Sequence, residues 1–228
     1  MKKAFTLIEL IFAIVVISIA FMAIPSMNRV SSQNVESSLI SEALVASVAK
    51  IDQILTFNWD ENSSYEGAEN TTSYSKVLDI SSADSELERV AGSNYRVGHI
   101  SSMLHRKFHS SEVNSTQTLG AESDFDDIDD FIVSNQNLFA SDVVGADGYK
   151  QHYLIDIDVS YISDAATYSD QIINDFSFSD TTQVNPTNMK MITITTKKEQ
   201  ADGSYSDEIK LRAYSSNIGE IDYYKRRY

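Results

Sequence analysis

The pattern of apolar and polar positions divides the chain into a helical first quarter and a strand-rich last third. An apolar run extends from Ala4 to Ile24. A helix over this run and the next few residues would be about 36 Å long, enough to cross a hydrocarbon core of about 30 Å. We predict a membrane-spanning helix whose N-terminus, which carries Lys2 and Lys3, stays in the cytoplasm.

The helical repeat continues beyond Pro25, a residue that would permit a kink or local melting near the membrane exit. Apolar positions then recur at helical spacing at Val35, Leu39, Leu44, Val48, Ile51 and Leu55. This spacing places them on one helix face. We predict one long helix from about residue 5 to 57, whose apolar stripe packs on the chain's own sheet. A coiled coil with a soluble partner is the weaker alternative, because the repeat is short.

Strict alternation of apolar and polar residues predicts three strands in Tyr149–Ile162, Met189–Thr196 and Asp207–Ser215. The pair Asp202-Gly203 predicts a turn between the last two. The fold class is therefore α+β, with a long N-terminal α-helix packed on a C-terminal antiparallel β-sheet at about 149–228. The polar region at about 58–148 is predicted to be loops, and the segment between the first two strands an exposed loop.

One carboxylate, Glu9, lies inside the apolar run. A charge in the middle of a membrane helix costs roughly 2.5–3.5 kcal/mol on insertion scales, and less near a helix end. Glu9 therefore requires a partner. The sequence suggests the amine that would appear if the chain were cut just before Phe5.

An ordinary secretory signal does not explain this N-terminus, because its small-residue cleavage site follows the apolar stretch. Here Ala4 precedes it. Residues Lys3–Leu10, KAFTLIEL, instead resemble the type III signal of type IV pilins and pseudopilins, in which a small residue precedes FTLIEL. Two departures are visible: Ala4 stands where Gly is usual, and Pro25 lies one residue earlier than its commonest placement.

The resemblance implies a pilin-like domain organisation and processing. Residues 1–4 would form a leader peptide, 5–27 a transmembrane and assembly helix, and 28–228 a periplasmic or extracellular pilin-like domain. A prepilin peptidase would cleave between Ala4 and Phe5 and N-methylate Phe5. The protein would first be a single-pass protein of the inner membrane.

The resemblance also implies how the subunits assemble. Glu9 would pair with the α-amine of Phe5 on a neighbouring pilin subunit, an attraction that is much stronger in a low-dielectric helix bundle than in water. The chain would then be a pilin-like subunit of a pilus or pseudopilus that serves adhesion and motility, secretion or DNA uptake. Its size and long loops favour a minor subunit.

The alternative is a membrane-anchored periplasmic binding protein or hydrolase that forms no filaments. Enzymatic activity is not expected, because the sequence has no GxSxG elbow and no phosphate-cradling glycine loop. The formal net charge of −15 also makes direct nucleic-acid binding unlikely, because phosphate binding needs clustered Lys and Arg.

The chain has no cysteine. Many pilins close their C-terminal region with a disulfide. In this chain, strand pairing, packing or an ion must hold that segment instead.

The acidic segment at 124–131, DFDDIDDF, is a candidate calcium site because calcium prefers clustered oxygen ligands. The candidate ligands are Asp126, Asp127, Asp129 and Asp130. The segment resembles an acidic stretch of minor pilin-like proteins of the mannose-sensitive haemagglutinin type, but it lacks the EF-hand pattern. A structured acidic loop is the alternative. His105 and His109 have a zinc-compatible spacing, but the absence of a metalloprotease Glu favours a solvated segment. No other cofactor is predicted.

Overall fold

The computed structural model describes residues 6–63, 75–80, 87–96, 108, 113–116, 118–120, 125–139, 152–163, 166–169 and 172–219. Ala4 and Phe5, the predicted processing residues, lie outside these ranges, as do His105 and His109. The chain divides into two compact units, Met1–Val45 and Ala46–Tyr228.

A single helix, α1, runs from Leu7 to Ile54 and belongs to both units. Its N-terminal half is long and apolar enough to cross a membrane. The helix ends where its hydrogen bonding changes: the amides of Thr56 and Phe57 bond to carbonyls three residues earlier instead of four. This tighter last turn ends α1 three residues before the predicted end at about 57.

The strands of the described residues are β1 (Val133–Asn137), β2 (Tyr153–Ile162), β3 (Thr167–Ser169), β4 (Ile172–Asn174), β5 (Thr182–Gln183), β6 (Met189–Glu199) and β7 (Tyr205–Ser216). The larger sheet is antiparallel throughout and has the order β1-β2-β6-β7, with β5 beside the end of β2. The predicted α+β class is confirmed, and a turn at Gly203, whose φ is +79°, joins β6 to β7.

The structure corrects the prediction that 58–148 and Asp164–Asn188 are loops, because β1 lies in the first region and β3, β4 and β5 lie in the second. The sequence VSNQN of β1 has no apolar alternation, and four of its five residues are exposed. Pairing with β2 makes it a strand. A bulge with Asn135 at φ +55° is held by a hydrogen bond from its amide to Asp156 Oδ1, at 2.7 Å.

The main core lies between one face of the sheet and the C-terminal end of α1. Alternate residues of β2, namely Ile155, Ile157, Val159 and Tyr161, pack with Ile192 and Ile194 of β6 and with Ile51, Ile54 and Trp59. The opposite face of the sheet carries a smaller cluster of Ile162, Met189 and Met191. The alternation predicted for β2 is therefore confirmed.

The helix face that meets the sheet differs from the predicted stripe. Within Ala46–Ile54, the buried residues are Ser47, Ile51 and Ile54, whereas Val48 and Leu55 are each 42% exposed. Ser47 explains the rotation: its hydroxyl forms a 2.7 Å hydrogen bond with the hydroxyl of Thr196 on β6, and both side chains are fully buried. A prediction based on the spacing of apolar residues cannot identify a serine as a core residue.

An asparagine, not a disulfide, ties the end of β7 to the rest of the domain. The buried Asn217 side chain accepts a hydrogen bond from the Leu78 amide at 3.0 Å and donates to the Leu78 carbonyl at 2.8 Å. It also donates to Asn188 Oδ1, while the Asn217 carbonyl accepts from Arg96. The predicted strand pairing does hold this segment as far as Ser216, because β7 is paired with β6, and the side-chain hydrogen bonds of Asn217 add to it.

Candidate functional site

Glu9 is the third residue of α1 and lies in its first turn. The backbone amides of Glu9 and Leu10 both bond to the carbonyl of Thr6, so the helical geometry is established at this point. The neighbouring side chains Leu7 and Ile8 are exposed and apolar. A carboxylate in the first helical turn also benefits from the positive end of the helix dipole.

Pro25 is accommodated inside α1, which continues past it without interruption. Proline has no amide hydrogen to donate to the carbonyl four residues earlier. One residue on, the Ser26 hydroxyl donates to the Ala23 carbonyl at 2.8 Å, and a second serine, Ser18, donates to Ile14 at 2.7 Å. Such bonds satisfy serine hydroxyls within an apolar helix.

The acidic segment folds into a turn that leads into a 3-10 helix, Asp129–Phe131. Asp127 organises it: its Oδ1 accepts from the amides of Asp129 and Asp130, and its Oδ2 accepts from the Glu61 amide at 2.7 Å. Asp130 Oδ2 in turn accepts from the amides of Asp126 and Asp127. These carboxylates therefore bind backbone N–H groups of their own turn.

The four candidate calcium ligands of the acidic segment differ in their exposure to solvent. Asp127, Asp129 and Asp130 are each only 4% exposed, whereas Asp126 is exposed. Three of the four candidate calcium ligands are therefore shielded from water. Phe131 and Ile128 are buried, but Phe125 is 62% exposed.

A fully buried lysine, Lys190, lies beside this segment. Its Nζ donates to Asp129 Oδ1 at 2.6 Å and to the Trp59 carbonyl at 2.7 Å, and it lies 3.6 Å from Asp60 Oδ2. It is also 4.7 Å from the centroid of the Trp59 ring. Sequence analysis missed both Lys190 and Asp60. The available signal was that Lys190 shares its strand face with Ile192 and Ile194, where a lysine is out of place.

The electrostatics of this cluster affect Asp127 most. Burial raises the pKa of Asp127 from its ordinary 3.8 to about 7; Lys190 opposes this rise, and Asp129 and Asp130 add to it. The pKa of the Tyr161 hydroxyl is also raised, by burial and by the negative charge of Asp60. The cluster is therefore a low-dielectric site in which negative charge is costly.

Among the described residues, no group of three or more His, Asp or Glu side chains is arranged to hold a metal ion. The reason lies in the hydrogen bonds: the oxygens of Asp127 and one oxygen of Asp130 accept from backbone amides, and Asp129 binds Lys190. Calcium binding by Asp126, Asp127, Asp129 and Asp130 stays a prediction that this geometry does not favour.

Comparison with known proteins assigns a class to the N-terminal helix. Residues 1–25 match the family model described as the prokaryotic N-terminal methylation motif. The chain thus carries the type IV pilin and pseudopilin signal, as its KAFTLIEL sequence indicated, and its apolar α1 is consistent with a membrane-anchored single-pass protein. No curated protein and no solved structure matches the chain. The resemblance to the mannose-sensitive haemagglutinin type stays a prediction.

Proposed function

We propose that the protein is a minor type IV pilin-like subunit that assembles into a pilus or pseudopilus and is not an enzyme. A prepilin peptidase would cleave between Ala4 and Phe5 and methylate Phe5. The remaining chain would stay in the inner membrane through α1 with its C-terminal domain in the periplasm, and would then enter the filament beside other pilin subunits.

The observation that carries this proposal is Glu9, a carboxylate in the first turn of an apolar helix within a methylation motif. In a membrane this charge is expensive unless it is paired. Cleavage before Phe5 would create an amine four residues away on the same chain, and an equivalent amine on every neighbouring subunit. Pairing between subunits would therefore convert a cost in the membrane into an attraction in the filament. Pro25 would give α1 the local freedom to adjust on leaving the membrane.

The test is to replace Glu9 and to measure processing and assembly separately. We expect Glu9→Gln to be cleaved normally, because the cleavage site is intact, and to be incorporated into sheared filaments at least about tenfold less, since loss of a partly buried charge pair costs more than about 1.4 kcal/mol. Glu42→Gln is the matched control, as Glu42 is exposed on the same helix. Immunoblots of membrane and filament fractions would report both steps.

Normal incorporation of the Glu9→Gln protein would contradict the assigned pairing. A wild-type protein that is cleaved but never found in filaments would favour the alternative, a membrane-anchored periplasmic binding protein or hydrolase. The hydrolase form of that alternative also requires turnover by the purified chain, which a filament subunit does not show. Genes encoded nearby, for a retraction motor or for a secretin with secretion components, would separate pilus, secretion and DNA-uptake systems.

A further inference from the structure

The environment of Lys190 is unusual because its amine is hydrogen-bonded to a carboxylate and is completely shielded from water. Its side chain is fully buried, and the side chain of Asp129 is only 5% exposed. The rings of Trp59 and Tyr161 lie 4.7 Å and 5.6 Å from Nζ. The two aromatic rings and the exclusion of bulk water restrict the amine and the carboxylate to one orientation.

The three buried carboxylates near Lys190 are not equivalent. Asp60 accepts three hydrogen bonds from other groups, namely the Asn62 amide and both the amide and the hydroxyl of Thr116. Asp127 accepts three from backbone amides. Asp129 accepts one weak bond, from the Gly120 amide at 3.2 Å, in addition to its contact with Lys190. Of these three carboxylates, Asp129 is therefore the one whose main hydrogen-bond partner is Lys190.

We propose that Lys190 and Asp129 are a self-modification site, at which the lysine amine and the aspartate carboxyl group condense to an intramolecular amide cross-link. Lys190 Nζ gives a proton to Asp60, 3.6 Å away, and attacks Asp129 Cγ. The new bond is Nζ–Cγ, and the bond that breaks joins Cγ to one carboxyl oxygen. That oxygen leaves as water after it receives two of the three ammonium protons, one of them relayed by Asp60. No oxidant or co-reactant is needed, and Asp60 is regenerated.

Two physical effects favour this reaction at a buried site. The contact replaces a bimolecular encounter with an intramolecular one between groups that are already in place. In addition, burial of an ammonium and a carboxylate costs several kcal/mol per ion, and conversion of the pair to a neutral amide removes both charges. Asp60 and Asp127 do not lose their main support, since each keeps its three other hydrogen bonds.

The cross-link would join positions that are 61 residues apart in the chain, the acidic turn before β1 and the central strand β6. A covalent bond of this kind restricts the unfolded chain. In a protein without cysteine, it would supply the covalent closure that a disulfide supplies elsewhere.

The test is mass spectrometry of the full chain, purified from cell membranes and denatured. We expect a mass lower by one water molecule than the processed sequence requires. Trypsin should fail to cut after Lys190 and should release a branched peptide that joins the segments containing Asp129 and Lys190. Full cleavage after Lys190, with an unmodified peptide containing Asp129, would overturn the proposal. Because this measurement uses the wild-type protein, it does not depend on whether a variant folds.

Four variants sharpen the result. Asp129→Asn should give the same branched peptide as the wild type, because the carboxamide loses ammonia instead of water. Lys190→Arg keeps the positive charge but should show no mass loss. Lys197→Arg is the matched control: Lys197 pairs with Asp156 at a part-exposed site, so this variant should keep the cross-link. Complete cross-linking in Asp60→Asn would overturn the proton-transfer role of Asp60.

Discussion

At the scale of single residues, a cluster of deeply buried charges surrounds Lys190. Three carboxylates, those of Asp60, Asp127 and Asp129, are almost fully buried near Lys190, and Asp130 is buried in the same acidic turn. Excess negative charge in such a site is costly. The raised pKa of Asp127, about 7, expresses that cost, because the folded state keeps a proton that the unfolded chain releases.

Replacement of Asp127 should therefore change how stability depends on pH. The folded pKa is raised, so the contribution of this proton is complete below about pH 4 and is lost as pH rises through about 7. The loss is at most about 4 kcal/mol, as one pKa unit corresponds to about 1.4 kcal/mol. Asp127→Asn cannot titrate. We expect it to be less stable than the wild type at about pH 5 and to approach it towards about pH 8.

Thermal unfolding of both proteins across this pH range would measure the effect. The quantity of interest is the difference between variant and wild type, because carboxylates elsewhere titrate in both. A constant difference in melting temperature across the range would contradict the raised pKa of Asp127.

At the scale of elements, the end of α1 is attached to the sheet by apolar contacts and by one buried hydroxyl pair. Ile51 and Ile54 pack into the main core, and Ser47, one helical turn before Ile51, bonds to Thr196. A buried hydrogen bond fixes the rotation of a helix on a sheet more specifically than apolar packing does, because an unmatched hydroxyl in that position costs about 1–3 kcal/mol.

A double-mutant cycle at this pair should show strong coupling. Thr196→Val is close in shape and should destabilise the fold by about 1 kcal/mol, because the hydrogen bond between the two hydroxyls is lost. Ser47→Ala removes the same hydrogen bond and should have a similar effect. The double variant loses this bond only once, so we expect its loss of stability to be smaller than the sum of the two single losses. Denaturant unfolding would measure all four proteins, and strictly additive losses would contradict the prediction.

At the scale of the whole molecule, acidic residues outnumber basic ones by 33 to 18. Such a surface attracts cations over its whole area, repels nucleic acid and is screened by salt. This general attraction is different from a specific calcium site. The hydrogen bonds of the acidic turn favour the general attraction, since both oxygens of Asp127 and one oxygen each of Asp129 and Asp130 already accept from backbone amides.

Divalent cations should therefore stabilise the protein weakly and without selectivity. We expect calcium and magnesium at millimolar concentration to produce similar small shifts in melting temperature that disappear in about 1 M salt, where charges are screened beyond about 3 Å. Asp126→Asn should leave these shifts almost unchanged. A saturable, calcium-specific shift that Asp126→Asn abolishes would instead establish the site predicted from the sequence.

The sequence by itself determined the features that depend on local order along the chain. The apolar run of α1, the position of Glu9 and the KAFTLIEL motif are local properties, and the alternation in β2 predicted its buried face correctly. The turn at Asp202-Gly203 was predicted for the same reason. These signals are carried by residue types and their spacing, and long-range contacts are not needed to interpret them.

Only the tertiary structure decided which distant groups meet. The strand β1 has no sequence signal because pairing with β2 makes it a strand, and the rotation of α1 depends on Ser47 finding Thr196 across 149 positions. The same holds for Asn217 with Leu78 and for Lys190 with Asp60 and Asp129. Hydrogen bonds and ion pairs act over a few ångströms of space, so their partners are set by the fold and not by spacing along the chain.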